Sequence, residues 1–474
     1  MNFISWSFFF LFLQVLAYRL FLGQDKTKWH MTFVVLLGST IFVMWHVPIY
    51  ILIMLTSIIV DYYAAQWIMK EARPLASKRL ILYTSLSINL GLLIFFKYTN
   101  FFLDSATYLL ANTLAYNPNI PRLELILPMG ISFYTFCSMS YTIDIYRGKL
   151  PPLKRFQDFY YFVTFFPHLV AGPIIRAGQF FYQLPRKRTL NFVVFSEGAF
   201  LIIRGLFLKM VCADNIGTIL KPLWKDEFLS TAPALYALEI VIMFSAQIFY
   251  DFEGYTSIAR GLAYWMGYKF PINFKNPYLA HSFSNFWQRW HISLSSWLRD
   301  YVYVSLGGNR GTKLKIIRNL IIIMLLVGLW HGAAATFLIW GAIHGLGLGV
   351  ERWLGLNSKL KIGIRPAYIS FLWFLSVQAV VLIAWVFFRS SSMHQAVLFL
   401  HCFLRVRSEV PVPIGNINLL LLVPIVAMHL YGLRAERSRR NSLNYAHKAA
   451  LTGALLAATL LFYGTSNDFI YFQF

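Results

Sequence analysis

From Tyr368 to Phe388 the chain reads YISFLWFLSVQAVVLIAWVFF, without one charged residue. A helix of about 20 apolar residues crosses the ~30 Å hydrocarbon core of a bilayer, and a backbone at that depth must satisfy its own hydrogen bonds, so only helices and closed barrels are open to it. Similar runs recur along the 474 residues, and few alternating, strand-like segments compete with them. The reading is an all-α, polytopic membrane protein of about twelve transmembrane helices with re-entrant segments. A content of 58% hydrophobic against 13% charged residues excludes an ordinary soluble domain.

The net charge of +23 would suggest nucleic acid in a soluble protein. Here the cations fill short gaps between apolar runs, as cytoplasmic loops do, and the implied partner is membrane lipid rather than nucleic acid. Arg19, Lys26 and Lys28 follow the first run; Lys70, Arg73, Lys78 and Arg79 follow a second, Met31 to Met69, which Trp45-His46-Val47-Pro48 divides into a hairpin. Spans near Leu80 to Phe96, Leu125 to Tyr146, Phe192 to Cys212 and Ala232 to Tyr250 are expected, with Phe159 to Ile175 re-entrant because it contains Pro167, His168 and Gly172-Pro173. Leu320 to Val350 reads as a hairpin around Gly332, followed by spans near Tyr368 to Phe388, Asn418 to Leu433 and Lys448 to Tyr463. This topology places both termini, including the tail 465–474, on the extracytoplasmic side. Neither a repeat nor room for a soluble domain is visible, so residues 1–474 read as one integral-membrane domain. Cys137, Cys212 and Cys402 are too scattered to suggest a disulfide framework or a metal site.

Three polar features interrupt this apolar chain. The first is NFWQRWHISLSSWLRDYVYVSLGGNR, residues 285–310. Read as one helix that starts just upstream, it carries Phe283, Phe286 or Trp287, Trp290, Leu294, Trp297 and Tyr301 on an aromatic face, and His291, Ser295 and Arg299 on the adjoining one. The plainer alternative is an interfacial helix with an aromatic belt. The second is Gly328-Leu329-Trp330-His331-Gly332: a histidine in an apolar span costs desolvation and normally faces a bundle interior or a wet cavity, although a hydrogen-bonded core histidine is the simpler reading. His344 is a weaker case, and these histidines lack the convergent ligand pattern of a metal site. The third is Asp251-Phe252-Glu253, two carboxylates expected to cap a helix, pair with Arg260 or Arg299, or orient a histidine.

Together, DFEGYTSIARGLAYWMGYKFPINFKNPYLAHSFSNFWQRWHISLSSWLRDYVYVSLGGNRG and the later GLWHGAAATFLIWGAIHG resemble the signature region of the membrane-bound O-acyltransferase (MBOAT) superfamily, over 251–345. The resemblance is to its bacterial branch of alginate and peptidoglycan O-acetyltransferases and teichoic-acid D-alanyl transferases. Departures are Ser305, where many relatives have Pro, and Thr256-Ser257, where they have Ser-Asp.

The resemblance implies a fold with a central tunnel and transfer of an acetyl group from cytoplasmic acetyl-CoA, a donor substrate rather than a resident cofactor, toward a cell-envelope or secreted polysaccharide. The family's near-universal histidine maps to His331 and its second characteristic polar position to His291. His331 is then expected as general base, and His291 as the group that positions the thioester or stabilises its oxyanion. Arg289, Arg299, Arg310 and Lys313 are candidates for the CoA phosphates, or else solvated topology determinants. The tail resembles the FIYFQF-type C-terminus of this branch, which implies Tyr471 as an acyl carrier; an aromatic anchor is its alternative. A periplasmic SGNH-hydrolase-like partner is implied for delivery to the polymer. A competing class, a polysaccharide-precursor transporter or flippase, predicts internal repeats and broken helices in matching halves, which the sequence does not display.

Overall fold

Helices start and stop where the polar and proline punctuation of the chain directs. The computed structural model describes residues 3–21, 29–45, 47–70, 73–114, 116, 120–169, 172–186, 190–356, 367–405, 416–438, 444–465 and 469–470. Its helices are α1 (Trp6–Phe21), α2 (Trp29–Met44), α3 (Ile51–Met69), α4 (Leu75–Leu114), α5 (Ile131–Tyr146), α6 (Phe156–Thr164), α7 (Phe166–Leu169), α8 (Ala177–Phe181), α9 (Phe192–Leu206), α10 (Asp214–Leu223), α11 (Asp226–Leu229), α12 (Ala234–Trp265), α13 (Phe283–Arg289), α14 (Ile292–Leu298), α15 (Lys313–His331), α16 (Ala335–Trp353), α17 (Ala367–Arg389), α18 (Met393–Cys402), α19 (Val423–Ser438) and α20 (Tyr445–Phe462). Among the described residues there is no strand. Among the described residues, seven helical segments are long and apolar enough to cross a membrane, and Trp6–Phe21 and Thr32–Met44 are shorter apolar helices. The chain divides into two compact units, Met1–Ala199 with Ala259–Pro271, and Phe200–Ile258 with Ile272–Phe474.

In the first unit α3, α4 and α5 pack together around Asp61. This buried carboxylate accepts hydrogen bonds from Ser85 and Asn89 of α4 and Ser138 of α5, which offset the cost of removing it from water. The expected span from Leu125 is shorter at its start: Pro128 precedes a turn at Gly130, whose φ of 72° lies in the left-handed region, and the helix begins at Ile131. A Cβ at Gly130 would lie 2.4 Å from the Leu169 carbonyl oxygen. The stretch 159–175 is broken into short helices and irregular backbone, and its described residues other than the half-buried Tyr160 are buried, in keeping with a re-entrant reading.

In the second unit the expected hairpin around Gly332 is present as α15 and α16. Its helices approach closely because the contact is made by glycines: a Cβ on Gly328 would meet the Phe337 carbonyl oxygen at 2.2 Å, and one on Gly341 the Met324 carbonyl oxygen at 2.3 Å. The expected end of a span at Tyr250 is corrected. Helix α12 continues to Trp265, because Asp251 and Glu253 find cations inside the protein and need not reach water. Two π-helical segments, Phe207–Ala213 and Arg299–Tyr303, also lie in the described chain.

Candidate active site

The stretch 283–301 is two helices, not one. Ser282 caps α13, its hydroxyl accepting from the Asn285 amide at 3.0 Å, and Glu351 of α16 accepts from the Ser284 amide (2.8 Å) and hydroxyl (2.7 Å). Helix α13 stops at Arg289, Trp290 is extended, and His291 takes φ 43°, ψ 53°, a left-handed conformation uncommon outside glycine. Asn273 holds this break: its carbonyl accepts the Ile292 amide at 2.9 Å and its side-chain oxygen the Ser293 amide at 3.2 Å, satisfying the first free donors of α14. The aromatic stripe of Phe283, Phe286, Trp287, Trp290, Leu294, Trp297 and Tyr301 is buried core rather than an interfacial belt.

The His291 ring is fully buried, stands edge-on to Phe252 (centroids 4.6 Å) and lies 5.8 Å from Trp330. Neither ring nitrogen bonds to another described residue. Burial pulls this imidazole down to about 3, since the charged form has no compensating partner, so it is neutral at physiological pH. His331, the last residue of α15, is 3% exposed. Its ring lies 5.0 Å from Trp330, 5.0 Å from Trp340 and 5.2 Å from Phe388. Both imidazoles thus contact the same indole, Trp330. His344 is buried against Phe286, Trp287 and Trp340, again with neither nitrogen bonded.

The expected grouping of His291, Ser295 and Arg299 does not form. Ser295 donates back to the Trp290 carbonyl at 3.2 Å, while Arg299, its side chain 64% exposed, pairs with the adjacent Asp300. Arg310 and Lys313 are exposed. Arg289 is already engaged by Glu436 (3.0 and 3.3 Å), the Lys275 carbonyl and Asn285. The carboxylates pair with cations other than the expected ones: Asp251 with Lys209 at 2.8 Å, and Glu253 with Arg204 at 2.7 Å. Lys209 was legible as a lone lysine in the apolar run FLKMVC, a residue type that is rare and costly in a membrane. Nothing in the periodicity pointed to Asn273.

Tyr471 lies outside the described residues, as do Lys26 and Lys28. The two described residues before it do not behave as a surface anchor. Phe469 and Ile470 are buried, with the Phe469 ring tilted against Tyr255 (centroids 4.4 Å) and edge-on to Phe252 (5.7 Å), and the Ile470 amide donating to Asp251 at 2.7 Å.

A helical, multi-spanning chain with two buried histidines on one aromatic wall defines a membrane-embedded site of a restricted class. The family described as MBOAT, membrane-bound O-acyltransferase, matches residues 31–361, and the chain belongs to it. It is 42% identical over 310 residues to the protein named "Probable alginate O-acetylase AlgI" of Pseudomonas syringae pv. tomato, a match covering 65% of this chain and 57% of that relative. The protein of the same name in Pseudomonas aeruginosa is 37% identical over 397 residues, 84% of this chain and 73% of the relative. The peptidoglycan O-acetyltransferase of Helicobacter pylori is 34% identical over 421 residues, 82% and 77% of the two chains.

Proposed function

We propose that this chain is a membrane O-acetyltransferase of the bacterial inner membrane, moving an acetyl group from cytoplasmic acetyl-CoA toward an envelope or secreted polysaccharide. The observation that carries this reading is the pair of buried imidazoles, His291 and His331, on one indole. A hydroxyl is a weak nucleophile at neutral pH, and a neutral imidazole removes its proton as the oxygen attacks the thioester carbonyl. The oxygen–acyl bond forms, the carbon–sulfur bond breaks, and the proton taken by His331 passes to the departing CoA thiolate. His291 faces the thioester oxygen and stabilises its developing charge. The reaction requires a tunnel that brings the thioester to these rings, and Arg299, Arg310 and Lys313 serve its phosphates; Arg289 joins them only by giving up Glu436.

The acceptor side rests on the names of the relatives, which specify alginate and peptidoglycan. In this reading both termini are extracytoplasmic, Tyr471 takes the acetyl group as a phenyl ester, and an SGNH-hydrolase-like partner passes it to the polymer. Purified protein supplied with radiolabelled acetyl-CoA tests the reaction: His331→Ala is expected to lower transfer by about 10²-fold or more while the protein stays folded, and wild-type-like turnover removes His331 from the mechanism. With donor but no acceptor, an acetyl mass shift on Tyr471 is expected; modification elsewhere removes it as carrier.

A further inference from the structure

The π-helical segment Phe207–Ala213 carries Lys209, a fully buried cation held between Asp214 at 2.7 Å and Asp251 at 2.8 Å. It reaches α12 because Gly205 and Gly254 let the two backbones meet: a Cβ on Gly205 would lie 2.6 Å from the Gly254 carbonyl oxygen. Lys209 is shared between two carboxylates, and the second oxygen of Asp251 accepts the Ile470 amide at 2.7 Å. Upstream, the same surface holds the tail at further points. The Gly464 amide donates to the Met210 carbonyl (2.9 Å), Asn215 donates to the Phe462 carbonyl (3.0 Å), and the hydroxyls of Thr218 and Thr465 are 3.0 Å apart. Phe469 then lies on Phe252 and Tyr255, and the Phe252 ring also meets His291.

We propose that Lys209 and Asp251 form a clamp that holds the tail inside the second unit, so that these two act as positioning residues for the group the tail presents to the histidine site. The assignment rests on the acyl-transfer reading for its purpose, but the clamp itself is a statement about where the tail binds. Asp251 is suited to the task because a carboxyl group beside the Lys209 ammonium, 2.8 Å away, is a strong acceptor for an amide. Docking also fills the remaining acceptor of a buried carboxylate, so tail release leaves that oxygen unsatisfied. Held by Asp251 on one side and by Phe252 and Tyr255 on the other, Phe469 and Ile470 have a fixed register on α12.

The test uses the full chain carrying Ile470→Cys, with Cys137, Cys212 and Cys402 buried as background. Ile470 is 2% exposed, so a water-soluble maleimide is expected to react slowly. Adding Asp251→Leu, which leaves Lys209 paired with Asp214, is expected to raise the reaction rate about tenfold or more, whereas Asp251→Asn, which keeps an acceptor, stays near the parent. An unchanged rate in Ile470→Cys/Asp251→Leu overturns the clamp. Should the Asp251→Leu variant not fold, Phe469→Cys with Ile470→Pro decides: it removes the donor without touching the ion cluster, and protection of the introduced thiol equal to that in Phe469→Cys alone overturns the clamp. The same variants are assayed for transfer from acetyl-CoA, where Asp251→Leu and Ile470→Pro are expected to lose about tenfold or more with donor KM unchanged. A released tail with undiminished transfer overturns the positioning role; a parent chain with no transfer overturns the reading of the histidine site while the labelling still judges the clamp.

Discussion

His331 and His291 reach the same indole by opposite means. His331 ends a 19-residue helix whose path is fixed by glycine contacts with α16, and the chain leaves it through Gly332 in an extended conformation. His291 interrupts a pair of seven-residue helices, and its strained backbone is held by two hydrogen bonds to Asn273. The first imidazole is placed by rigid packing and the second by a local clamp. A left-handed non-glycine residue costs on the order of 1–3 kcal/mol and persists only where its surroundings over-determine it. The two sites should therefore respond differently to nearly every perturbation.

The largest effect is expected from removing the rings themselves. His331→Ala should lower acetyl transfer by about 10²- to 10⁴-fold through kcat, whereas His291→Ala should act on both KM for the donor and kcat, as steady-state kinetics would show. Identical profiles for the two variants would erase the distinction in their roles. Next, Gly341→Val drives a side chain into the Met324 carbonyl oxygen, 2.3 Å from the Cβ position, and should lower stability by about 1–3 kcal/mol in thermal unfolding of the detergent-solubilised protein. A stable Gly341→Val protein would show that the α15–α16 contact is not what fixes His331.

Asn273→Ala should cost roughly tenfold in kcat with modest loss of stability, and Asn273→Asp, which keeps an acceptor for the Ser293 amide, should recover most of it. Equal activity in both variants would separate Asn273 from His291. The smallest effect concerns acid. His291 is held well below its unfolded value of 6.5, so the unfolded chain binds the extra proton between these values. The stability gained by keeping the ring neutral is complete above 6.5 and is lost as pH falls from there toward the folded value. His291→Gln should therefore flatten the decline in melting temperature between about pH 7 and pH 5; a parallel decline would place the acid sensitivity elsewhere.

Much of this molecule is visible in its sequence. Uncharged runs such as 368–388 admit only a membrane helix, the division of Leu320–Val350 at Gly332 is marked by its small residues, and the irregular 159–175 stretch is marked by Pro167 and Gly172-Pro173. The aromatic repeat around His291 misleads instead. Trp290, Leu294 and Trp297 keep a helical spacing across the break, so periodicity reads one helix where two meet. Asp251 illustrates a different loss: Arg260 and Arg299 lie nearer or look equally plausible in the sequence, but the pairing with Lys209 depends on Gly205 meeting Gly254.

The sequence by itself determined the solvent, the helical class and the residue types available for chemistry, because hydrophobic run length and the need to satisfy backbone hydrogen bonds are local properties. Tertiary structure decided the left-handed turn that presents His291, the shared contact of both histidines with Trp330, and the burial of Phe469 and Ile470 against α12. Each of these depends on partners distant along the chain, whose hydrogen bonds and close contacts repay a strained backbone or a buried charge only once the helices have packed.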